Sequence, residues 1–311
     1  MSNVQNSTAL VGVGQMGVAY AKVFQDQKRP LYPIGRGKES AATFERETGM
    51  KVNLHPIKDT PKDINRAIVA ASVLQLPRIT QELMDHGIKH ILVEKPCAIT
   101  VEETQKLHEK AQQMGVSITI AYNRRYYASV MKARHIIEAE GGVQSFNFDF
   151  TEWSDRIAPI PHPPEVKAAW LIANSSHVID LAFHLGGSPD QWTSYRRGTL
   201  DWHPHGSRFS GAGVTKNGAL FSYQADWDAP GRWGVDIMTK NLRLILCPLE
   251  GLKVWERCTV EIKDIALEDD LDKRFKPGLY RQVEAFLSDD TEHACQLTDH
   301  LKHMETIYSR I

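Results

Sequence analysis

Short apolar runs alternate with helical periodicities through the first third of the chain. Residues 10–13, 31–34, 67–71, 91–93 and 118–121 read as strands, and residues 16–27, 39–48, 77–86 and 100–114 as helices. Strands alternating with helices at this spacing predict βαβ units around a parallel sheet. Pro77 suits a first helical turn and Thr100 a cap, while Gly49, Gly87 and Gly115 each follow a helix, as C-terminal glycines do. Residues 50–65 show no clear period. A third strand is expected there, which makes 91–93 the fifth strand and 118–121 the sixth. Beyond residue 123 the period changes. Phe146-Asn147-Phe148-Asp149-Phe150 alternates with a period of two, the mark of a half-buried strand. Residues 219–227, 232–239, 242–247 and 252–255 also read as strands, with helices at 176–185, 277–287 and 298–309. All seven tryptophans lie between Trp153 and Trp255. The pattern predicts an α/β fold of two parts: a doubly wound parallel sheet, then an α/β domain with a large, mostly antiparallel open sheet. One face of that sheet would cover the first domain or a partner subunit. Residues 159–164, rich in proline, read as an extended loop.

Gly12-Val13-Gly14-Gln15-Met16-Gly17 sits between the first strand and the first helix. Gly12 permits a sharp turn, Gly14 a close backbone approach to a pyrophosphate, and Gly17 close packing of helix on strand. The amides and dipole at the helix start, near Gln15 and Met16, would receive the phosphate charge. This is a Rossmann dinucleotide loop by position and pattern, against a plain tight turn as the bland alternative. The residue that selects the cofactor lies about 20 residues past such a loop. The chain has Gly35-Arg36-Gly37-Lys38 there, and no acid before Glu39. Arg36, with Lys38 beside it, suits a 2′-phosphate, so NADP(H) is expected over NAD(H), with NAD(H) still open. The other reading of Arg36 is a solvated surface residue.

Composition narrows the partners. With 311 residues, 42% hydrophobic and 24% charged, the chain has ordinary globular proportions. Thirty-seven basic against 38 acidic residues give a formal charge of -1, which argues against nucleic acid. Residues 1–8 show no charged and apolar pairing of a secretory signal, and no run reaches membrane-spanning length. Cys97, Cys247, Cys258 and Cys295 have no Cys-x-x-Cys spacing. A cytoplasmic protein without disulfide framework or structural zinc is expected.

Two clusters carry candidate chemistry. Glu94-Lys95-Pro96 follows the strand at 91–93. There the proline would hold a turn, Lys95 would enter the crevice at the carboxyl end of the sheet, and Glu94 would pair with a charge or order the turn. In the helix at 176–185, His177, Asp180 and His184 fall at i, i+3 and i+7 on one face, with Val178, Leu181, Ala182 and Leu185 behind. Histidine titrates near neutrality, so this face suits acid/base work. A surface Asp–His pair and metal ligation by the two histidines are the competing readings.

Taken together, the early Gly-x-Gly-x-x-Gly, Glu94-Lys95-Pro96, Tyr122-Asn123-Arg124-Arg125 and His177-x-x-Asp180-x-x-x-His184 are similar to the Gfo/Idh/MocA family, which includes glucose–fructose oxidoreductase and inositol dehydrogenases. The closing segment 280–286 resembles it too. The resemblance implies a Rossmann domain (1–122) that binds the dinucleotide and a second domain (123–311) that binds substrate and forms homodimers or homotetramers through its sheet. It implies that Lys95, Asp180 and His184 are the catalytic trio and no metal is used. It also implies that Tyr122, Asn123, Arg125, Trp153 and His177 line the site of a polyhydroxylated substrate: a sugar, cyclitol or sugar nucleotide. One departure concerns the Pro-x-x-x-His pattern common after the fourth strand; here the region runs Ala71 to Pro77 without histidine, and Gln75 stands in. Cys97 reads as a small buried residue and His203-Pro204-His205 as a loop. Two alternatives keep the loop but change the outcome: an enzyme that retains its cofactor for elimination or glycoside cleavage, and a non-catalytic dinucleotide or sugar sensor. The substrate is not legible.

Overall fold

The computed structural model describes residues 7–311, so most of the segment read above for a secretory signal lies outside the described residues. The chain divides into two units, 1–122 with 274–304, and 123–273 with 305–311. The single boundary expected at 122 is joined by two more, at either end of the segment 274–304, which groups with the first unit rather than the second.

In the first unit, the strands are β1 (Thr8–Val11), β2 (Leu31–Ile34), β3 (Arg66–Val69), β4 (His90–Val93) and β5 (Ser117–Ile120), with helices α1 (Gln15–Asp26), α2 (Lys38–Thr48), α3 (Leu76–His86) and α4 (Val101–Met114) between them. The strands pair in parallel in the order β5-β4-β3-β1-β2. Alternate strand residues enter opposite cores: Val11, Val69 and Val93 on one face, Leu10, Ile68 and Leu92 on the other. Such a sheet is buried on both faces, which is why its strands read as continuous apolar runs. Thr100 caps α4, its hydroxyl accepting from the Glu103 amide at 3.2 Å.

Residues 50–65 hold no strand of the sheet. They contribute an isolated parallel bridge between Asn53 and Ile34 and a 3-10 turn at Ile57–Asp59. Residues 91–93 therefore belong to the fourth strand and 118–121 to the fifth, a correction to the expected count. Asn53 holds the edge of β2 by donating from its amide to Pro33 O at 2.9 Å and accepting from Gly35 at 3.2 Å. Pro33 cannot donate a ladder hydrogen bond, and the segment goes no further as a strand.

The second unit contains α5 (Ala128–Ala139), β6 (Ser145–Asp149), α6 (Ser154–Ile157), α7 (Pro164–Ala168), α8 (Ser176–Gly186), β7 (Pro189–Arg197), β8 (Arg208–Thr215), β9 (Leu220–Asp226), β10 (Gly234–Met238), β11 (Leu242–Leu246), β12 (Lys253–Glu256) and β13 (Ile262–Asp264). These eight strands form one sheet in the order β13-β12-β11-β10-β6-β9-β8-β7, antiparallel except at β6–β9. Phe146, Phe148 and Phe150 point to one face, where they meet Phe183 of α8, Phe221 and Tyr223 of β9, and Phe209 of β8. The opposite face is polar and small, with Thr193, Ala212, Ser222, Asn147 and Asp236 in register across five strands.

After α9 (Asp270–Arg274), the chain adds α10 (Leu279–Leu287), β14 (Cys295–Gln296) and α11 (Leu297–His303). Leu279, Val283 and Phe286 of α10 enter the core beside Tyr20 and Phe24 of α1, and β14 pairs antiparallel with β5. The helix expected at 298–309 changes to a π turn at Met304–Tyr308.

α8 approaches β6 without a side chain at its last position. A Cβ on Gly186 would stand 2.3 Å from the Phe146 ring. Gly→Ala within a helix favours the helix by up to about 1 kcal/mol, but overpacking a filled core costs about 1–3 kcal/mol. Gly186→Ala should therefore destabilise the protein, read as a lower urea midpoint at unchanged slope. A neutral or raised midpoint would refute this packing account.

Candidate active site

In the first unit the sequence-predicted residues collect at the carboxyl ends of the parallel strands. Gly12 takes φ +110°, and a Cβ there would lie 2.3 Å from Ala70 O; a Cβ on Gly17 would lie 2.2 Å from Gly12 O. These two glycines let the turn, β3 and α1 close on one another. Gly14 differs, since a Cβ there would meet nothing within 4 Å. It is exposed, and as the N-cap of α1 it supplies no side-chain cap to the first-turn amides near Gln15, Met16 and Gly17. Open space at Gly14 in front of uncapped amides and a helix dipole fits a pyrophosphate. Arg36, Gly37 and Lys38 are exposed at the start of α2.

Glu94 and Lys95 form the turn after β4. The Glu94 amide donates to Val69 O at 3.0 Å, and its carbonyl accepts from Cys97 at 3.0 Å. The Lys95–Pro96 peptide is cis. The Tyr20 hydroxyl donates to Glu94 Oε1 at 2.8 Å, which links the helix behind the glycine loop to the turn that bears Lys95. Burial, then the Glu94 charge, pushes the Tyr20 phenol well above its usual range, so it remains a neutral donor. This bond ties the Glu94 carboxylate to α1, in keeping with a residue that orders the turn. Gln75 ends a 3-10 turn before α3, and its oxygen accepts from Arg78 Nη2 at 3.0 Å, which leaves its amide nitrogen as the group it can offer. Cys97 is buried and its thiol is pushed up to about 12 by desolvation, so no thiolate nucleophile forms near neutral pH. Tyr122 is 1% exposed within the first unit's core, its ring 5.8 Å from His300. Its hydroxyl lies 3.4 Å from His300 Nδ1.

In the second unit a 3-10 turn at Asn123–Tyr126 faces α8. Arg125 donates from Nε to Asp180 Oδ2 at 2.8 Å and from Nη2 to Oδ1 at 2.6 Å. Both side chains are buried. Asp180 is thus no member of a surface Asp–His pair. It is a carboxylate held by a bidentate guanidinium, which engages the Nε and Nη2 donors of Arg125. Ten of the eleven α8 residues are buried, so the face expected to be open is enclosed as well; His184 alone is half-buried. His177 is 8% exposed, its ring 6.3 Å from that of Trp233. Asn123 is buried at the head of the Arg125 turn.

A π turn at Leu171–Ser175 leads into α8, a departure often found at functional sites. Buried Glu152 fixes it, accepting from Ser175 Oγ at 2.7 Å and from Asn174 Nδ2 at 2.9 Å. Beside it lies a cavity of about 240 Å³ whose lining includes Arg124, Glu152, Trp153, Arg156, Arg232 and Trp233. Of these only Trp153 was singled out from sequence. The others lie on three separate segments, and no linear spacing unites them. The His203-Pro204-His205 segment is a structural turn: His203 is buried, its Nδ1 donates to Gly206 O at 2.6 Å, and its ring lies 4.6 Å from Trp227. Burial lowers the His203 pKa. No helix among the described residues is long and apolar enough to cross a membrane.

Residues 7–122 match the model of the oxidoreductase family with an NAD-binding Rossmann fold, GFO_IDH_MocA. A stretch of 116 residues is 29% identical to scyllo-inositol 2-dehydrogenase (NADP(+)) of Bacillus subtilis, 34% of this chain and 30% of that enzyme. A second match, 24% identical over 162 residues, is to D-xylose 1-dehydrogenase (NADP(+)) 2 of Haloferax volcanii, 51% of this chain and 49% of that enzyme. The chain thus spans less than half the length of these curated relatives. Levoglucosan dehydrogenase, solved with NADH and levoglucosan, shares the fold over 98% of this chain and 95% of that one, with a TM-score of 0.77 at 20% identity.

Removing one partner of a buried ion pair strands the other, which costs about 3–5 kcal/mol. Asp180→Ala should lower the unfolding free energy by that order in a denaturant titration. A loss below about 1 kcal/mol would mean that water already reaches the pair.

Proposed function

We propose that this chain, whose residues 7–122 match the model of the Gfo/Idh/MocA oxidoreductase family, is an NADP-dependent oxidoreductase. It would move a hydride to or from a secondary hydroxyl or ketone of a sugar, cyclitol or sugar nucleotide. The observation that carries this reading is the Tyr20–Glu94 hydrogen bond, which couples the open glycine loop to the Lys95 turn at one end of one sheet.

The residues that would hold the dinucleotide are Gly12, Gly14, Gln15, Met16 and Gly17 at the pyrophosphate, with Arg36 and Lys38 at the ribose. When bound, the nicotinamide supplies the hydride acceptor or donor. Lys95 holds the reacting oxygen and keeps its partial negative charge close to a cation. His184 takes the hydroxyl proton during oxidation and returns it during reduction. Asp180 has both oxygens on Arg125, which fixes the carboxylate's orientation toward the site. Held in this way, Asp180 positions the groups around it. The NADP-linked names of two relatives support the cofactor preference, as does the exposed Arg36.

His184→Ala and Lys95→Ala should each lower kcat by about 10²–10⁴-fold, the usual share of acid–base catalysis, while the NADPH dissociation constant stays within twofold. Undiminished turnover in both would sink the assignment. For the cofactor, Arg36→Ala should cut the NADPH-over-NADH ratio of kcat/KM by about 10- to 100-fold, one charge-assisted contact of about 1.5–3 kcal/mol. An unchanged ratio would leave Arg36 a mere surface residue.

A further inference from the structure

We propose that the cavity beside α8 is a subsite for an oxyanion, so that the substrate carries a phosphoryl or carboxylate group in addition to its hydroxyls. This rests on the oxidoreductase reading for its catalytic context, but the binding itself does not.

Three guanidinium groups reach this one cavity from three places: Arg124 from the 3-10 turn, Arg156 from α6, and Arg232 from the loop before β10. Each is set against a tryptophan. The Arg124 guanidinium lies 4.8 Å from the Trp233 ring centre, and those of Arg156 and Arg232 lie 4.9 and 5.1 Å from that of Trp153. Trp153 is in turn fixed by its indole N–H, which donates to Gly231 O at 2.8 Å. Stacking on an aromatic face holds a guanidinium's plane and leaves its N–H edge to donate. Arg156 and Arg232 form no salt bridge among the described residues.

Two acids share the lining, Glu152 and Glu250. Glu152 is already bonded to Ser175 and Asn174, and Glu250 is exposed to solvent screening. Three cations against these two leave the cavity net positive. Two stacked arginines without a protein carboxylate as partner form a fork suited to a planar or tetrahedral oxyanion.

Position ties the cavity to the catalytic helix. Its wall Trp233 touches His177, and its floor Glu152 bonds the turn that starts α8. His184 lies seven residues further, about 10 Å along the helix axis. A sugar ring with one exocyclic anionic arm covers that length.

The test is calorimetric titration of the intact protein with inorganic phosphate, glucose 6-phosphate, glucuronate and glucose, in wild type, Arg156→Ala and Arg232→Gln. Saturable binding of phosphate or of either anionic sugar is expected, at least tenfold tighter than glucose. Each variant should reduce it about tenfold, the size of one lost charge-assisted contact, while NADPH affinity is retained. Preference for glucose 6-phosphate assigns a phosphoryl source, and preference for glucuronate a carboxylate. Equal affinity for glucose and the charged sugars, no binding of any anion, or variants that bind as wild type would each overturn the proposal. Anion binding lost in the variants of a protein that shows no hydride transfer would sink the oxidoreductase reading and leave the subsite standing.

Discussion

The buried ion pair of Arg125 and Asp180 is the constraint on which the second unit's site depends. Taking both charges out of water costs several kcal/mol per ion, and only near-ideal geometry offsets it. The two parallel hydrogen bonds, at 2.8 and 2.6 Å, supply that geometry. Apolar packing alone would leave α8 tolerant of small rotations, because hydrophobic burial has no direction. The fork does have a direction. Turning α8 by one residue, about 100°, would carry Asp180 away and strand a buried guanidinium. The pair therefore fixes which way His177 and His184 face, on the same helix three residues before and four residues after.

Both ends of α8 are held by means that suit their surroundings. At its start, the π turn Leu171–Ser175 is tied to Glu152 by two side-chain donors. At its end Gly186 allows the Phe146 ring into the space that a methyl group would fill. One end is polar and one apolar, and the ion pair lies between them. In the first unit the comparable link is a single hydrogen bond between Tyr20 and Glu94. Its neutral phenol donor costs less to bury than a second charge would, because an uncharged hydroxyl loses far less hydration than an ion.

Legibility in the sequence followed how local each signal was. The first sheet was readable because its strands are buried on both faces and its helices carry their own caps, as Thr100 does. Its count went wrong at residues 50–65, where one bridge at Asn53 stands for the expected strand. In the second unit β6 was readable from Phe146, Phe148 and Phe150. β7 and β8 were not, since outward polar residues and glycines dominate them. Two glycines of β8 admit their cross-strand neighbours: a Cβ on Gly211 would stand 2.4 Å from the Tyr223 ring, and one on Gly213 would stand 2.2 Å from Trp192 Cβ. A glycine that reads as a loop signal alone is thus a strand position once its cross-strand neighbour is known. The His-Asp-His spacing was legible as a helix face, but burial was not, and burial separates a surface pair from a fixed carboxylate. Arg156 and Arg232 had no local signal at all.

Arg124 and Arg125 show how the second unit serves two demands with one turn. In a 3-10 turn successive side chains diverge by about 120°. Arg125 enters the interior and turns its Nε–Nη2 edge onto Asp180, whereas Arg124 lies over Trp233 at the cavity wall. The first is irreplaceable without stranding a buried charge. The second is half-exposed, stacked and open to change at a cost of about 1 kcal/mol or less. The geometry that the ion pair fixes and the lining of the cavity are therefore separable in free energy although they are adjacent in sequence. Substitutions at Arg156, Arg232 and Arg124 can alter what the cavity receives while the Asp180 carboxylate, and with it the orientation of His184, stays where the ion pair holds it.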